Sequence, residues 1–195
     1  SQFDPETIAL RQFLARNRVV HHWRKPEDED TAEIMKAFGL TAADIPFVLL
    51  GQESLLHPTI EQLADRLGVR RQTHQREYDL VIVGAGPAGL AAAVYGASEG
   101  LYTLLLDRSA PGGQAAWSSR IENYMGFPEG LTGSDLAARG LIQAQKFGAE
   151  ISVPADVVKI EGSRSGHRLF LAGGEEIGAR AVVVATGARY QKLPI

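Results

Sequence analysis

Two kinds of apolar pattern divide the sequence. Near the start, Leu10, Phe13 and Leu14 recur at helical spacing, and Asp4-Pro5 supplies the cap and the first turn of that helix. After residue 77, uninterrupted apolar runs replace this spacing. Such runs are typical of strands that are buried on both faces of a parallel sheet. The pattern therefore predicts an α/β protein in which a doubly wound, Rossmann-type sheet follows a smaller α/β module.

The first 68 residues predict the order helix, strand, helix, strand, strand, helix. Gly39 and Gly68 close the second and third helices, and Thr59 with Gln62 has the spacing of a capping box. The elements predicted after the first helix are a strand at Val19–Trp23, a helix at Thr31–Phe38, strands at Phe47–Leu50 and Ser54–Leu56, and a helix from Thr59 to Gly68.

Glycine content marks a boundary between two parts of the chain. Three of the 21 glycines precede residue 78, and eighteen follow it. The polar and basic stretch at residues 69–77 has neither a helical nor a strand period, which is typical of a linker. We therefore predict a first module at residues 1–68, a linker at 69–77 and a second domain at 78–195.

The composition narrows the classes of function. Of 195 residues, 45% are hydrophobic and 22% are charged, and the net charge of −3 is too mild for a nucleic-acid or membrane-surface partner. No apolar run reaches the roughly 18 residues that span a bilayer, so we expect a cytoplasmic protein. The chain has no cysteine, and hence no thiolate nucleophile or cysteine-bound metal. We predict no metal site, because the adjacent His21 and His22 would point to opposite faces of a strand.

A glycine-rich segment between a strand and a helix carries the candidate chemistry. The apolar run Tyr78–Val83 leads into it, and an alanine-rich helix, Leu90–Glu99, follows. In this context the first glycine allows a tight turn, the second a close approach to a pyrophosphate and the third close helix packing. Backbone N–H groups at the start of the helix then attract the diphosphate. The predicted binding residues are Gly84, Ala85, Gly86, Pro87, Ala88 and Gly89.

A second apolar run, Leu101–Leu106, ends in Asp107 and Arg108. A carboxylate at the tip of this strand can accept hydrogen bonds from the hydroxyl groups of an adenosine ribose. It also disfavours a 2′-phosphate there, because two anions would repel each other. We include both residues in a predicted dinucleotide site, which on these features alone could hold NAD or FAD.

Three further segments distinguish between these dinucleotides: Ala110–Gln114, Arg120–Pro128 and Ala181–Ala188. Together with the glycine loop they resemble, in order and over residues 78–195, the FAD domain of thioredoxin reductases. The resemblance implies FAD as the cofactor and an antiparallel meander, over Ile151–Ile160, His167–Ala172 and Glu175–Ala179, that covers one face of the sheet. It implies cofactor contacts from Gly112, Gly113, Gln114, Asn123, the backbone of Val157, Ala185, Thr186 and Gly187.

The same resemblance implies electron transfer from NADPH through FAD to a disulfide or similar acceptor. The implied partner is a thioredoxin-like or other disulfide protein, and the implied assembly is a homodimer. The sequence contains neither the NADPH domain nor its thiols and opens at Ser1, so we expect it to be part of a longer protein and assign no catalytic residue. Three alternatives stay open: a regulatory flavoprotein or adaptor, a thiol-free flavin reductase, and an NAD-dependent dehydrogenase that uses the glycine loop alone.

The first module resembles the thioredoxin and glutaredoxin fold without its first strand. The likeness depends on the order of the elements and on Ile45-Pro46, which precedes a buried strand where that family has a cis-proline. The position of the family's Cys-x-x-Cys motif falls at residues 1–4, which contain no cysteine. We therefore expect a structural or docking unit without disulfide-exchange activity, because that exchange requires a thiolate.

Overall fold

The computed structural model describes residues 4–17, 19–68 and 77–188. Contacts divide the chain into two compact units, Ser1–Arg70 and Arg71–Ile195. The predicted linker, except for Glu77, and residues 1–3 of the cysteine-free segment lie outside the described residues. Within the described ranges, no helix is long and apolar enough to cross a membrane.

The described part of the first unit consists of three α-helices, a short 3₁₀ helix and a β-hairpin. Its elements are α1 (Pro5–Arg16), α2 (Glu29–Ala37), the 3₁₀ helix Ala42–Asp44, β1 (Phe47–Leu50), β2 (Glu53–Leu56) and α3 (Ile60–Arg66). Asp4 caps α1, because its carboxylate accepts a hydrogen bond from the Thr7 N–H at 3.0 Å. Thr59 and Gln62 form the predicted reciprocal capping box at the start of α3.

The core of the first unit lies between α1 and α3. Leu10, Phe13 and Leu14 of α1 are buried together with Leu63 and Ala64 of α3. The antiparallel strands β1 and β2 add partly buried side chains to this cluster. The predicted apolar face of the first helix and the predicted pairing of the two strands are both confirmed.

The predicted strand at Val19–Trp23 is wrong, since residues 19–25 form neither a strand nor a helix. Trp23 instead lies beneath the guanidinium of Arg11, which is 4.7 Å from the centroid of the indole ring. Among the described residues, the sheet of this unit therefore has only two strands. Ile45–Pro46 is cis. The expected third strand is absent from the described part of the unit.

Residues 77–188, the described part of the second unit, are built around one six-stranded sheet. The elements of this unit are β3 (Glu77–Val83), α4 (Pro87–Ser98), β4 (Thr103–Leu106), the 3₁₀ helix Gly113–Trp117, α5 (Gly133–Lys146), β5 (Glu150–Ser152), β6 (Val157–Ser163), β7 (Gly166–Leu171) and β8 (Glu176–Val184). Across the sheet the strands follow the order β5, β4, β3, β8, β7, β6. Neighbouring strands are parallel from β5 to β8 and antiparallel from β8 to β6. The predicted α/β fold, with a parallel sheet and an antiparallel meander, is confirmed.

Alternate residues of the central strands face two different cores. Ile82 of β3 and Leu105 of β4 are buried in a cluster with residues of α4 and α5. Val81 and Leu104, the residues that alternate with them, are buried with Leu169 of β7. The strands of the meander therefore pack on the face of the parallel strands that the helices leave uncovered, as predicted.

Two predicted strand boundaries in this unit are wrong. The expected strand Ile151–Ile160 is two strands, because β5 pairs with β4 in parallel and β6 pairs with β7 in antiparallel orientation. The expected strands at Glu175–Ala179 and from Ala181 onward are a single strand, β8. The first part of β8 pairs with β7, and most of its length pairs with β3. This one strand therefore carries the chain from the meander to the edge of the parallel sheet.

Candidate dinucleotide-binding site

The loop between β3 and α4 is shaped by two glycines. Gly84 has a φ of +107°, which L side chains rarely adopt, and its N–H donates to the carbonyl oxygen of Leu106 at 2.7 Å. A Cβ atom on Gly84 would collide with the carbonyl oxygen of Ala185. A Cβ atom on Gly89 would collide with the carbonyl oxygen of Gly84, so the first turn of α4 packs directly on the loop.

Gly86 differs from these two glycines because the fold does not require it. It caps α4 with a φ of −69°, and a Cβ atom there would meet nothing within 4 Å. Pro87 occupies the first helical position, where no N–H is needed, and the N–H groups of Ala88 and Gly89 follow outside the intrahelical ladder. An anion in the open space beside Gly86 would meet these donors and the positive end of the helix dipole.

Asp107 follows β4 and connects two loops. Its Oδ2 accepts a hydrogen bond from the Ala85 N–H at 2.8 Å. Its Oδ1 accepts from the N–H groups of Ser109, at 2.9 Å, and Ala110, at 3.1 Å. Arg108, the neighbouring predicted residue, is exposed. The carboxylate predicted to face a ribose thus also fixes the backbone of the glycine loop.

The Gly112–Gln114 segment lies against the glycine loop. The Gly112 N–H donates to the carbonyl oxygen of Ala85 at 2.7 Å, and a Cβ atom on Gly113 would approach the Cα of Gly86 to 3.1 Å. Gly112 and Gly113 have φ values of +106° and +53°, so the backbone conformation itself favours glycine. No side chain stands between the two loops at these positions.

The loop after β8 completes the arrangement. The Ala185 N–H donates to the carbonyl oxygen of Val83 at 2.8 Å, which continues the pairing between β8 and β3. Thr186 is exposed, and Gly187 has a φ of +75°. The side-chain amide of Gln114 donates to the carbonyl oxygen of Ala188. Three loops that follow β4, β3 and β8 therefore meet at the carboxyl edge of the parallel sheet, where open α/β sheets bind ligands.

Val157 lies at the Asp107 end of this edge. The Ala155 N–H donates to the backbone oxygen of Asp107 at 2.7 Å, which brings the start of β6 to the end of β4. Val157 itself pairs with Leu171 and is half-buried against the core beneath the meander. The predicted adenine-side residue is thus brought next to the predicted ribose-side residue.

Asn123 lies on a different surface from Gln114. It lines a cleft of about 720 Å³ between α4 and α5, together with Pro87 and Gly112. Gln114 does not line this cleft and points instead to Ala188. The structure therefore brings Asn123 to the glycine segments but not to the loop after β8.

Gly133 is a close-packed residue that the sequence analysis missed. A Cβ atom on it would collide with the carbonyl oxygen of Ala115, so the start of α5 supports the 3₁₀ helix that follows Gly112. The sequence feature that could have revealed this close packing is a glycine directly after Thr132, the residue that caps α5. This contact fixes the backbone that carries Gln114.

All of these loops fall within residues 78–195, which match the profile of the pyridine nucleotide-disulphide oxidoreductase family. The chain belongs to this family. Thioredoxin reductase of Bacillus subtilis (strain 168) is 41% identical over 123 residues, which cover 63% of this chain and 38% of that relative. The corresponding enzyme of Listeria monocytogenes serovar 1/2a is 38% identical over 121 residues, covering 62% and 37%. The crystal structure of T. acidophilum thioredoxin reductase matches with a TM-score of 0.57 at 34% identity and covers 62% of this chain and 39% of that chain.

The resemblance predicted for the second domain is therefore confirmed at the level of this oxidoreductase family. The family profile begins at residue 78 and does not include the first unit. The chain spans 37–38% of the length of the curated thioredoxin reductases described above. The likeness of the first unit to thioredoxin stays a prediction.

Proposed function

We propose that residues 78–195 bind FAD along the carboxyl edge of the parallel sheet. The observation that carries this proposal is the meeting of three loops with glycine at their points of closest approach: Gly84–Gly89, Gly112–Gln114 and Ala185–Gly187. The close-packed glycines let these loops approach one another, and the open space beside Gly86 and Gly187, where a Cβ atom would meet nothing within 4 Å, leaves room for a diphosphate and a ribityl chain. The residues therefore fit the cofactor that the family likeness implies.

The order of the strands determines the orientation of the bound ligand. Because β4, β3 and β8 are successive neighbours, the adenosine belongs beside Asp107, the diphosphate beside Gly86 and the flavin end beside Ala185–Gly187. The backbone of Val157, next to Asp107, is assigned to the adenine. Gln114 is assigned to the flavin half because its amide already contacts the loop after β8.

Arg108 and Asn123 are the remaining residues of the proposed site. Arg108 is exposed beside Asp107 and would lie along the adenosine half. Asn123 would reach the ligand only from the cleft between α4 and α5. Both are included in the proposed site as residues to be tested by substitution.

We further propose that the protein is a flavoprotein oxidoreductase that passes electrons from NADPH to a disulfide or similar acceptor. The names of the curated relatives, which are thioredoxin reductases, support this activity. FAD, when bound, supplies the electron-transfer chemistry. The residues of this chain bind and orient it, whereas the NADPH site and the thiols are assigned to sequence that this chain does not contain. A disulfide protein as substrate and a homodimer as the assembly belong to the same proposal.

The cofactor proposal is tested on the longer protein of which this chain is expected to be a part, by its purification and by chromatography of what it releases on denaturation; the isolated chain of residues 1–195 should bind FAD only weakly. We expect a yellow protein that releases FAD, in about one equivalent per chain. Release of NAD alone contradicts the proposal and supports the dehydrogenase alternative, and release of FMN contradicts the assignment of an adenosine half. Activity is tested separately, as NADPH oxidation that depends on an added disulfide. Flavin reduction without transfer to any disulfide would favour the thiol-free flavin reductase.

We also propose that residues 1–68 and 78–195 are separate domains and that the first is a docking unit. The division of contacts into Ser1–Arg70 and Arg71–Ile195 supports two domains. Deletion of residues 1–68 from the full-length protein should leave the flavin content unchanged and lower turnover with the protein substrate, while turnover with a small disulfide stays the same. Equal turnover of the protein substrate with and without these residues contradicts the docking role.

A further inference from the structure

Trp117 is the last residue of the 3₁₀ helix Gly113–Trp117, and 56% of its surface is exposed. Side chains three residues apart on a 3₁₀ helix eclipse each other, so Trp117 and Gln114 lie on the same side of this helix. Both are exposed, whereas Ala115 and Ala116 between them are half-buried. The buried side packs against the start of α5, where Gly133 approaches the backbone of Ala115 and Ala116.

At Gln114, the exposed side of this helix contacts the loop after β8. Gln114 establishes this contact, because its side-chain amide donates to the carbonyl oxygen of Ala188. In the sheet, β3 separates β8 from β4, and Asp107 follows β4. Trp117 therefore belongs to the end of the site opposite the proposed adenosine position.

We infer that Trp117 is a flavin-contacting residue whose indole covers part of the isoalloxazine ring. This inference depends on the proposed binding of FAD and adds to it a side chain that the resemblance did not supply. Trp117 exposes more than half of its surface, and contact between its indole and a planar aromatic ligand would stabilise both rings. Gln114 can satisfy polar atoms of the ligand on the same side, so the two side chains together offer one polar and one apolar contact.

The contact is tested with ligands that fill one half of the site or all of it. Apoprotein of the wild type and of Trp117→Ala is titrated with FAD and, separately, with ADP. Because stacking on an aromatic side chain contributes to the binding of a planar ring, we expect Trp117→Ala to weaken FAD binding by about tenfold, which corresponds to about 1.4 kcal/mol. ADP should bind both proteins equally, because it does not reach the end of the site beside β8. Trp117→Phe should restore most of the FAD affinity.

Fluorescence gives a second readout that does not depend on affinity. The chain has two tryptophans, and Trp23 lies in the first unit. In Trp23→Phe, the emission of Trp117 should be strongly quenched when FAD binds, and in saturated Trp117→Phe the flavin emission should rise above that of the wild type. Trp23→Phe is also the matched control, since its flavin emission should equal that of the wild type.

Three results would overturn the inference. An FAD affinity and flavin emission that do not respond to Trp117→Ala overturn it while leaving the proposed function intact. A parallel loss of ADP affinity overturns it by revealing a general disturbance of the site. A wild-type protein that binds ADP but not FAD contradicts the proposed cofactor and this inference together.

Discussion

The carboxylate of Asp107 lies 2.8 Å from the backbone nitrogen of Ala85 and accepts its N–H. The same carboxylate holds the N–H groups of Ser109 and Ala110 with its other oxygen. One side chain at the tip of β4 thereby couples the glycine loop to the segment that leads into Gly112. Its Oδ2 has one described donor and keeps acceptor capacity that a ribose hydroxyl could use. Asp107 can therefore organise the site and also contact a ligand.

We expect Asp107→Asn to destabilise the second unit and to weaken ligand binding. An amide nitrogen cannot accept a hydrogen bond, so either the N–H of Ala85 or the N–H groups of Ser109 and Ala110 lose their acceptor. Loss of a hydrogen bond to a charged group costs about 1.5–3 kcal/mol in free energy of unfolding. Urea denaturation measures this difference. Asp156→Asn, at an exposed carboxylate, is the matched control. Equal stability of Asp107→Asn and the control would contradict the coupling role.

Gly86 and Gly89 should respond in opposite ways to an added side chain. At Gly86 a Cβ atom meets nothing within 4 Å, so Gly86→Val should cost less than about 1 kcal/mol of stability. The new methyl groups would nevertheless occupy the space assigned to the diphosphate, and cofactor retention should be lost. At Gly89 a Cβ atom collides with the carbonyl oxygen of Gly84, so Gly89→Ala should cost about 3 kcal/mol.

Thermal unfolding and flavin content, measured on the same preparations, separate these two effects. Gly86→Val should unfold near the wild-type temperature and contain no flavin. Gly89→Ala should unfold well below it whether or not flavin is supplied. A Gly86→Val protein that keeps its flavin would show that the diphosphate binds elsewhere.

Local signals were sufficient for the glycine loop but not for every strand. Strand, glycine motif and helix follow one another within a single stretch, and each glycine has a steric reason that the sequence alone suggests. The segment Val19–Trp23 also has β-branched and aromatic residues, yet a strand requires hydrogen-bonding partners from elsewhere in the chain. That partner is absent from the described part of the first unit, and Trp23 packs on Arg11 instead.

Long-range contacts account for the features of the site that the sequence did not reveal. The hydrogen bond from Gln114 to the backbone of Ala188 joins residues 74 positions apart. The sequence predicts separate strands on the two sides of Arg180, but β8 runs through this residue because its pairing with β3 continues on both sides. Such positions depend on tertiary pairing, which residue spacing does not encode.

The second unit should lose stability at acid pH through Asp79. The Tyr102 N–H and then the Arg180 guanidinium hold the pKa of this carboxyl below its ordinary value of 3.8. A lowered folded-state pKa contributes stability that is present above the unfolded-state value and lost as pH falls through the folded-state value. Wild type should therefore exceed Asp79→Asn in stability at neutral pH, and the difference should shrink as pH falls below 3.8.

Urea denaturation at several pH values checks the Asp79 prediction. Trp23→Phe is a suitable background, because Trp117 then reports on the second unit alone. Arg180→Gln should reproduce only part of the effect, since the backbone N–H of Tyr102 is the larger cause of the pKa shift. A difference between wild type and Asp79→Asn that does not change with pH would contradict the assignment.

The first unit should show the opposite dependence on pH, through His57. This residue has a φ of +44°, and its Nε2 contacts the carbonyl oxygen of Ala43 at 2.9 Å while Nδ1 lies 3.6 Å from the Glu6 carboxylate. The hydrogen bond to Ala43, followed by Glu6 and Asp44, raises the pKa of His57 above its ordinary 6.5. A raised folded-state pKa gives stability that is complete below 6.5 and is lost as pH rises through the folded-state value.

We therefore expect the contribution of His57 to the stability of the first unit to be larger at about pH 5.5 than at about pH 8.5. His57→Asn should remove that contribution, because asparagine tolerates the left-handed backbone but does not titrate. Trp117→Phe leaves Trp23 as the reporter of this unit, and urea denaturation followed by its emission measures the change. His22→Asn, at an exposed histidine outside this cluster, is the control and should keep the wild-type dependence. If His57→Asn keeps it as well, the contacts of His57 with Ala43 and Glu6 do not couple protonation to the stability of this unit.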